Sequence, residues 1–102
     1  MIDLGALLAD VEGFDWDAGN TAKNVLGHGV SQAEAEEMFF VAPIVLLEDD
    51  KHSAVERRYL IFGPTGAGRL LTAAFTLRQH RIRIVSVRDM SRPERRRYVQ
   101  AR

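Results

Sequence analysis

RLLTAAFTLR (69–78), QH (79–80) and RIRIVSVR (81–88) form the stretch that decides the fold. Both runs are rich in apolar, β-branched and aromatic residues, and only two residues separate them. They predict a pair of antiparallel strands joined by a tight turn. Working toward the N-terminus, RRYLIF (57–62) precedes the turn-prone segment Gly63–Gly68, and IVLLE (44–48) precedes Asp49–Asp50. The predicted sheet is therefore a four-stranded antiparallel meander.

The flanking segments change period. Leu4, Leu7, Leu8 and Val11 follow an i, i+3, i+4, i+7 spacing, which predicts a short amphipathic helix. Gly13–Phe14 leads toward an edge strand through Trp16. Asp17 suits the N-cap of a helix running to about His28, with Gly29 at its left-handed end. Ser31 and Glu34 form an S-x-x-E capping box for a helix through Ala35, Met38 and Phe39 that Pro43 ends. Ser91 and Glu94 repeat the box, with Pro93 in the first turn, so the chain closes on a helix. Helices, then strands, then a helix read as α+β, in one domain over 1–102 with 1–13 as an N-terminal extension.

The chain has no cysteine, which excludes a disulfide framework and thiolate metal sites. Its first residues carry Asp3 and Asp10 and no basic region, unlike a signal peptide, and no apolar run is long enough to span a bilayer. A cytoplasmic protein without membrane contact is the expectation. The net charge of zero conceals a division. Residues 1–50 hold eleven acids and one base, Lys23, a formal charge of −10. Residues 51–102 hold thirteen bases and three acids, a charge of +10. Either the halves neutralise each other across the fold, or the basic half faces a polyanion.

Two motifs carry less than they suggest. GPTGAGR (63–69) resembles a phosphate-binding loop, but Arg69 and Leu70 stand where that loop needs Lys and a hydroxyl. It reads as a glycine-rich hairpin connection. His28, His52 and His80 lack ligand spacing, and Glu48–Asp49–Asp50 reads as a solvated turn, so neither metal nor cofactor is expected.

Arg69, Arg78, Arg81, Arg83 and Arg88 lie on adjacent strands with Thr76 and Ser86 among them. Strict alternation puts Arg81 and Arg83 on one side of their strand and Ser86 and Arg88 on the other. Guanidiniums stay protonated and clamp phosphate bidentately. Arg92, Arg95, Arg96, Arg97 and Arg102 extend the positive field onto the last helix. Metal-free RNA cleavage needs such cations for the charge on the phosphorane. It also needs a group that moves protons, for which His28, Lys23 and Tyr98 are candidates. Binding without catalysis needs the same arginines and no proton shuttle.

FDWDAGNTAKNVLGHGVSQAEAEEMF (14–39) resembles the N-terminal signature of the BrnT family. E-x-R-Y-x-x-x-G (56–63), G-R-L-L (68–71), F-T-x-R (75–78), R-I-R-I-V-S-V-R (81–88) and S-R-P-E-R-R-R-Y (91–98) resemble its later strands and last helix, in the family's order. The resemblance implies a fold similar to RelE-type ribonucleases and toxicity through RNA cleavage that stops translation. It also implies a BrnA-like ribbon-helix-helix antitoxin, with operator DNA reached only through that partner. Carried onto this chain, the expected catalytic residues are Lys23, His28, Arg78, Arg83, Arg88 and Tyr98. The expected RNA-binding residues are Trp16, Arg69, Arg81, Ser86 and Arg92. Many relatives have Lys where Asn20 and Gly27 stand here, which moves the emphasis onto the arginine strands. The rival reading is a non-catalytic module whose basic sheet face docks an acidic partner or nucleic acid.

Overall fold

The computed structural model describes residues 2–21 and 28–102. Strands β2 (Val45–Glu48), β3 (Arg58–Pro64), β4 (Leu70–Arg78) and β5 (Arg81–Asp89) form the antiparallel meander that the apolar runs predict. Gln79 and His80, at φ 53° and 64°, make the tight β4–β5 turn. Left-handed geometry at both residues matches the twist of the strands they join. The β3–β4 connection is a hairpin loop in which Thr65 N–H donates to the Arg69 carbonyl at 2.8 Å and Gly68 takes φ 88°. No helix opens there, so the phosphate-loop resemblance fails on structure as well as on sequence.

One expectation needs correction. The sheet has five strands and is mixed: β1 (Gly13–Phe14) runs parallel to β5, giving the order β1-β5-β4-β3-β2. Glu12 N–H donates to the His80 carbonyl at 2.7 Å and Asp15 N–H to that of Ile82 at 2.8 Å. Two residues show no alternation, so this strand exists through backbone pairing and not through a side-chain pattern. The chain then crosses from the β1 edge to the β2 edge through α2 (Ala18–Thr21) and α3 (Gln32–Glu37). The helix expected to reach His28 is described through Thr21, and its continuation lies outside the described residues.

The capping boxes at Ser31/Glu34 and Ser91/Glu94 are both formed, and Gly29 takes φ 71°. Pro43 does not end α3, which stops at Glu37. Phe39 and Phe40 continue in tighter i→i−3 bonds to the carbonyls of Glu36 and Glu37.

The sheet buries different things on its two faces. On one, α1 (Leu4–Leu7), β1 and α3 cover Ile61, Leu71, Phe75, Ile82, Ile84 and Val87. Phe75 anchors this core, edge-on to Phe39 at 5.1 Å and stacked with Tyr59 at 5.4 Å. On the other, α4 (Arg92–Ala101) lays Tyr98 over Val45, Phe62 and Met90, with Leu60 and Leu70 beside them. That helix covers only part of its face, and the uncovered part is where chemistry is possible.

Candidate active site

A β-bulge arranges this face. Ala74 pairs with Ser86 and Phe75 with Ile84, so Val85 is the extra residue in β5. Before it, Ile82 and Ile84 point into the larger core; after it, Val87 does. Arg81, Arg83, Ser86 and Arg88 therefore share the opposite face, not two faces as strict alternation predicts. Their partners across the ladder are Arg78, Thr76, Ala74 and Thr72, and Arg58 of β3 lies opposite Thr76.

Three arginines of β4 and β5, and Arg69 just before β4, are engaged with carboxylates. Arg83, only 12% exposed, reaches Asp17 at 3.0 and 3.1 Å and Asp15 at 3.4 Å. Arg78 holds Glu56 at 2.8 and 3.1 Å, and Arg88 holds Glu94 at 2.6 and 2.9 Å. Arg69 pairs with Asp89 at 2.8 and 3.0 Å, donates to the Gly29 carbonyl at 3.0 Å and reaches Glu34 at 3.3 Å. The titration behaviour follows. Arg88 above all draws Glu94 down to about 2 from an ordinary 4.5. Glu56 is lowered chiefly by Arg78, and Asp17 chiefly by Arg83. Arg83 and Arg78 are raised in return.

The expected open array on β4 and β5 is corrected accordingly. Arg83 serves the neutralising alternative, because its carboxylates come from the N-terminal half. Arg69 is a clasp joining β5, the β3–β4 loop and the start of α3. Arg81 is exposed and, among the described residues, forms no ion pair. The same holds for Arg92, Arg95, Arg96 and Arg97, so the open positive surface lies on α4. The Arg102 guanidinium sits 5.9 Å from the centre of the Tyr98 ring.

Other expected site residues fall elsewhere. Trp16 packs against the larger core and donates its indole N–H to Glu36 at 2.7 Å, so its ring is structural. Tyr98 is 3% exposed and donates its hydroxyl to the Pro43 carbonyl at 2.6 Å. Burial raises its pKa, the wrong direction for a proton-transfer group. His28 is exposed near Asp89, at the far end of β5 from Arg83, roughly 18 Å along the strand. Lys23 lies outside the described residues. Asn20 is 2% exposed; its side-chain amide donates to the carbonyls of Asp15 and Ile84, both at 2.9 Å. A lysine cannot reproduce that pair of contacts together with the bond its oxygen accepts from Asp17 N–H.

Beyond the end of α4's cover, a cleft of about 350 Å³ opens between β3–β5 and the loop after β2. Arg58, Thr76, Arg78 and Val85 line its floor, with His52 and Glu56 at its rim. Thr76 is 3% exposed, yet among the described residues its hydroxyl makes no hydrogen bond, and neither does the buried Nε of Arg58. The hydroxyl is near enough to Glu56 to help lower its pKa without meeting it in hydrogen-bond geometry. Unmet buried polar atoms cost about 1–3 kcal/mol each, and ordered water, an ion or a ligand commonly satisfies them. The sequence rejects His52 as a metal ligand and places Glu56 and Arg58 only in a strand motif, so none of the three is an expected site residue. The Asp49-x-x-His52 spacing is the available signal, because three residues is helical distance. Among the described residues, no group of three or more His, Asp or Glu side chains is placed to hold a metal ion.

An arginine-bearing sheet face, part under a helix and part open, defines a small α+β protein with a polar cleft lined by Arg58, Thr76 and Arg78. Residues 16–94 match the family described as ribonuclease toxin, BrnT, of type II toxin-antitoxin system, and the chain belongs to that family. Membership makes it a ribonuclease toxin, with RNA as its substrate and an antitoxin as its partner. No curated protein matches the chain. No helix among the described residues is long and apolar enough to cross a membrane.

Proposed function

We propose that this protein is a cytoplasmic, metal-independent endoribonuclease that arrests translation, restrained by a BrnA-like ribbon-helix-helix antitoxin through which alone it meets operator DNA. The working unit is one domain over 1–102, and its kinship to RelE-type ribonucleases belongs to the same reading. The observation that carries the reading is the pair of guanidiniums, Arg58 and Arg78, lining an open cleft. A non-bridging phosphate oxygen is an acceptor for both.

The chemistry asks for little more than positioning and charge. The 2′-oxygen attacks phosphorus, the bond to the 5′-oxygen breaks, and a 2′,3′-cyclic phosphate and a free 5′-hydroxyl result. Arg58 and Thr76 hold the phosphate. Arg78, about half exposed, turns its remaining N–H donors to the charge that develops on the phosphorane. The exposed arginines of α4 attract the RNA strand at long range and offer the antitoxin an electrostatic face.

The test is cleavage of single-stranded RNA by the purified protein in excess EDTA. The expected products carry 2′,3′-cyclic phosphate ends, and adding the antitoxin abolishes their formation. RNA left intact at large enzyme excess would favour the non-catalytic binding module, for which the ion-paired state of Arg78, Arg83 and Arg88 is the supporting observation.

A further inference from the structure

The arginines and the threonine of the cleft explain how a phosphate is held, but none of them moves a proton at neutral pH. Arginine stays charged, and the hydroxyl of Thr76 is a donor of very weak acidity. Glu56 is held low by Arg78, which makes it a poor base. The remaining titratable group lining the cleft is His52.

Its setting is organised. His52 ends a 3₁₀ turn, Asp50–His52, directly after β2, and its Nδ1 lies 2.9 Å from Asp49 Oδ2. The turn is stapled to the cleft floor. Asp49 N–H donates to the Arg58 carbonyl at 2.8 Å. Ser53 Oγ donates to the Asp49 carbonyl at 2.6 Å and accepts from Arg58 N–H at 3.0 Å. Arg58 therefore both contributes to the floor and fixes the loop that carries the imidazole. Asp49, an acceptor only when ionised, places the proton of a neutral imidazole on Nδ1. The lone pair is then on Nε2, which makes no hydrogen bond among the described residues.

From this geometry we infer that His52 is the proton-accepting catalytic residue of the cleft and Asp49 its positioning residue. The assignment rests on the ribonuclease reading and deepens it. His52 Nε2 takes the proton of the 2′-hydroxyl as the 2′-oxygen bonds to phosphorus. The bond from phosphorus to the 5′-oxygen breaks, and that oxygen takes a proton from water at the open rim. The imidazolium then returns its proton to solvent, so charge and atoms balance over the cycle. The substrate class is a ribonucleotide chain with a free 2′-hydroxyl next to the scissile phosphate.

The experiment compares the unaltered protein with His52→Gln, Asp49→Asn and Thr76→Val in two assays. One is cleavage of a single-stranded RNA in EDTA. The other is affinity for the same sequence made with 2′-O-methyl groups, which binds but cannot react. His52→Gln is expected to slow cleavage about 100-fold or more while leaving that affinity within about threefold. Thr76→Val is expected to weaken the affinity. Asp49→Asn is expected to slow cleavage about tenfold and to alter the ring ¹⁵N shifts of His52, a tautomer signature that a purely structural role would not move. Because His52 is exposed, its substitution leaves the core untouched. Cleavage by His52→Gln at the unaltered rate removes the assignment and leaves the ribonuclease reading standing. Failure of the unaltered protein to cleave RNA removes both.

Discussion

The arginines of β5 and those of α4 are the same residue type in neighbouring segments, yet they live in opposite circumstances. Arg83 is nearly enclosed by Asp15 and Asp17, and Arg88 is bound two-fold to Glu94. Arg92, Arg95, Arg96 and Arg97 stand exposed and, among the described residues, without a carboxylate partner. The difference teaches that a run of basic residues does not announce its own use. What decides it is whether a carboxylate from elsewhere in the chain is brought within reach. Arg58 belongs to neither group: it lies on the sheet like Arg83, but among the described residues its buried Nε has no partner. A guanidinium engaged with a carboxylate stabilises the fold, whereas one that lines the cleft without a carboxylate partner keeps donors for a ligand.

The contrast can be broken in solution. Converting Arg92, Arg95, Arg96 and Arg97 together to Gln should weaken RNA binding about 100-fold near physiological salt. It should flatten the plot of log affinity against log salt by about 3, with little change in thermal stability. A large loss of stability instead would mean that α4 is as engaged as β5. Arg83→Ala should do the reverse, lowering unfolding free energy by about 2 kcal/mol in urea titration, because it leaves Asp15 and Asp17 side by side without their cation. Growth arrest by that variant at low temperature, with a depressed Tm, would place Arg83 in the framework and not in the site.

The pair on Arg88 predicts an acid dependence. The folded Glu94 carboxyl titrates near 2 in place of 4.5, so its contribution is fully present above about pH 4.5. It is lost as pH falls toward 2. Glu94→Gln keeps the capping-box geometry and should remove about 1–2 kcal/mol of stability at neutral pH, flattening the acid limb in that window. An unchanged acid profile would show that the pair contributes only orientation. The smallest effect concerns the cleft. Thr76→Val removes an unmet hydroxyl at nearly constant shape and should raise stability by up to about 1 kcal/mol by calorimetry. A stability decrease would reveal that the hydroxyl has a partner in solution.

Sequence reading reached what is encoded locally. Both capping boxes, the glycine at position 29 and the strand runs need only residues a few places apart. The two-residue β1 was marked only as a lead toward an edge strand; its parallel pairing to β5 has no side-chain pattern to betray it. The pairing of Arg83 with Asp15 spans 68 positions, and nothing near either residue records it. For the same reason the basic face was legible as a quantity of charge but not as a map of engaged and unengaged groups. His52 was not among the expected site residues because its partner, Asp49, looks like part of an acidic turn until the turn is folded onto Arg58.

Val85 makes β5 behave like a message with a reading frame. Each residue on a strand is read as inward or outward by its parity, and the bulge inserts one letter that no partner reads. Excising that letter would restore plain alternation, leaving Ser86 and Arg88 outward and Val87 in the hydrocarbon interior. Substitutions along this strand therefore alter one site at a time, and Val85 is the letter that can be lost without changing how the rest are read.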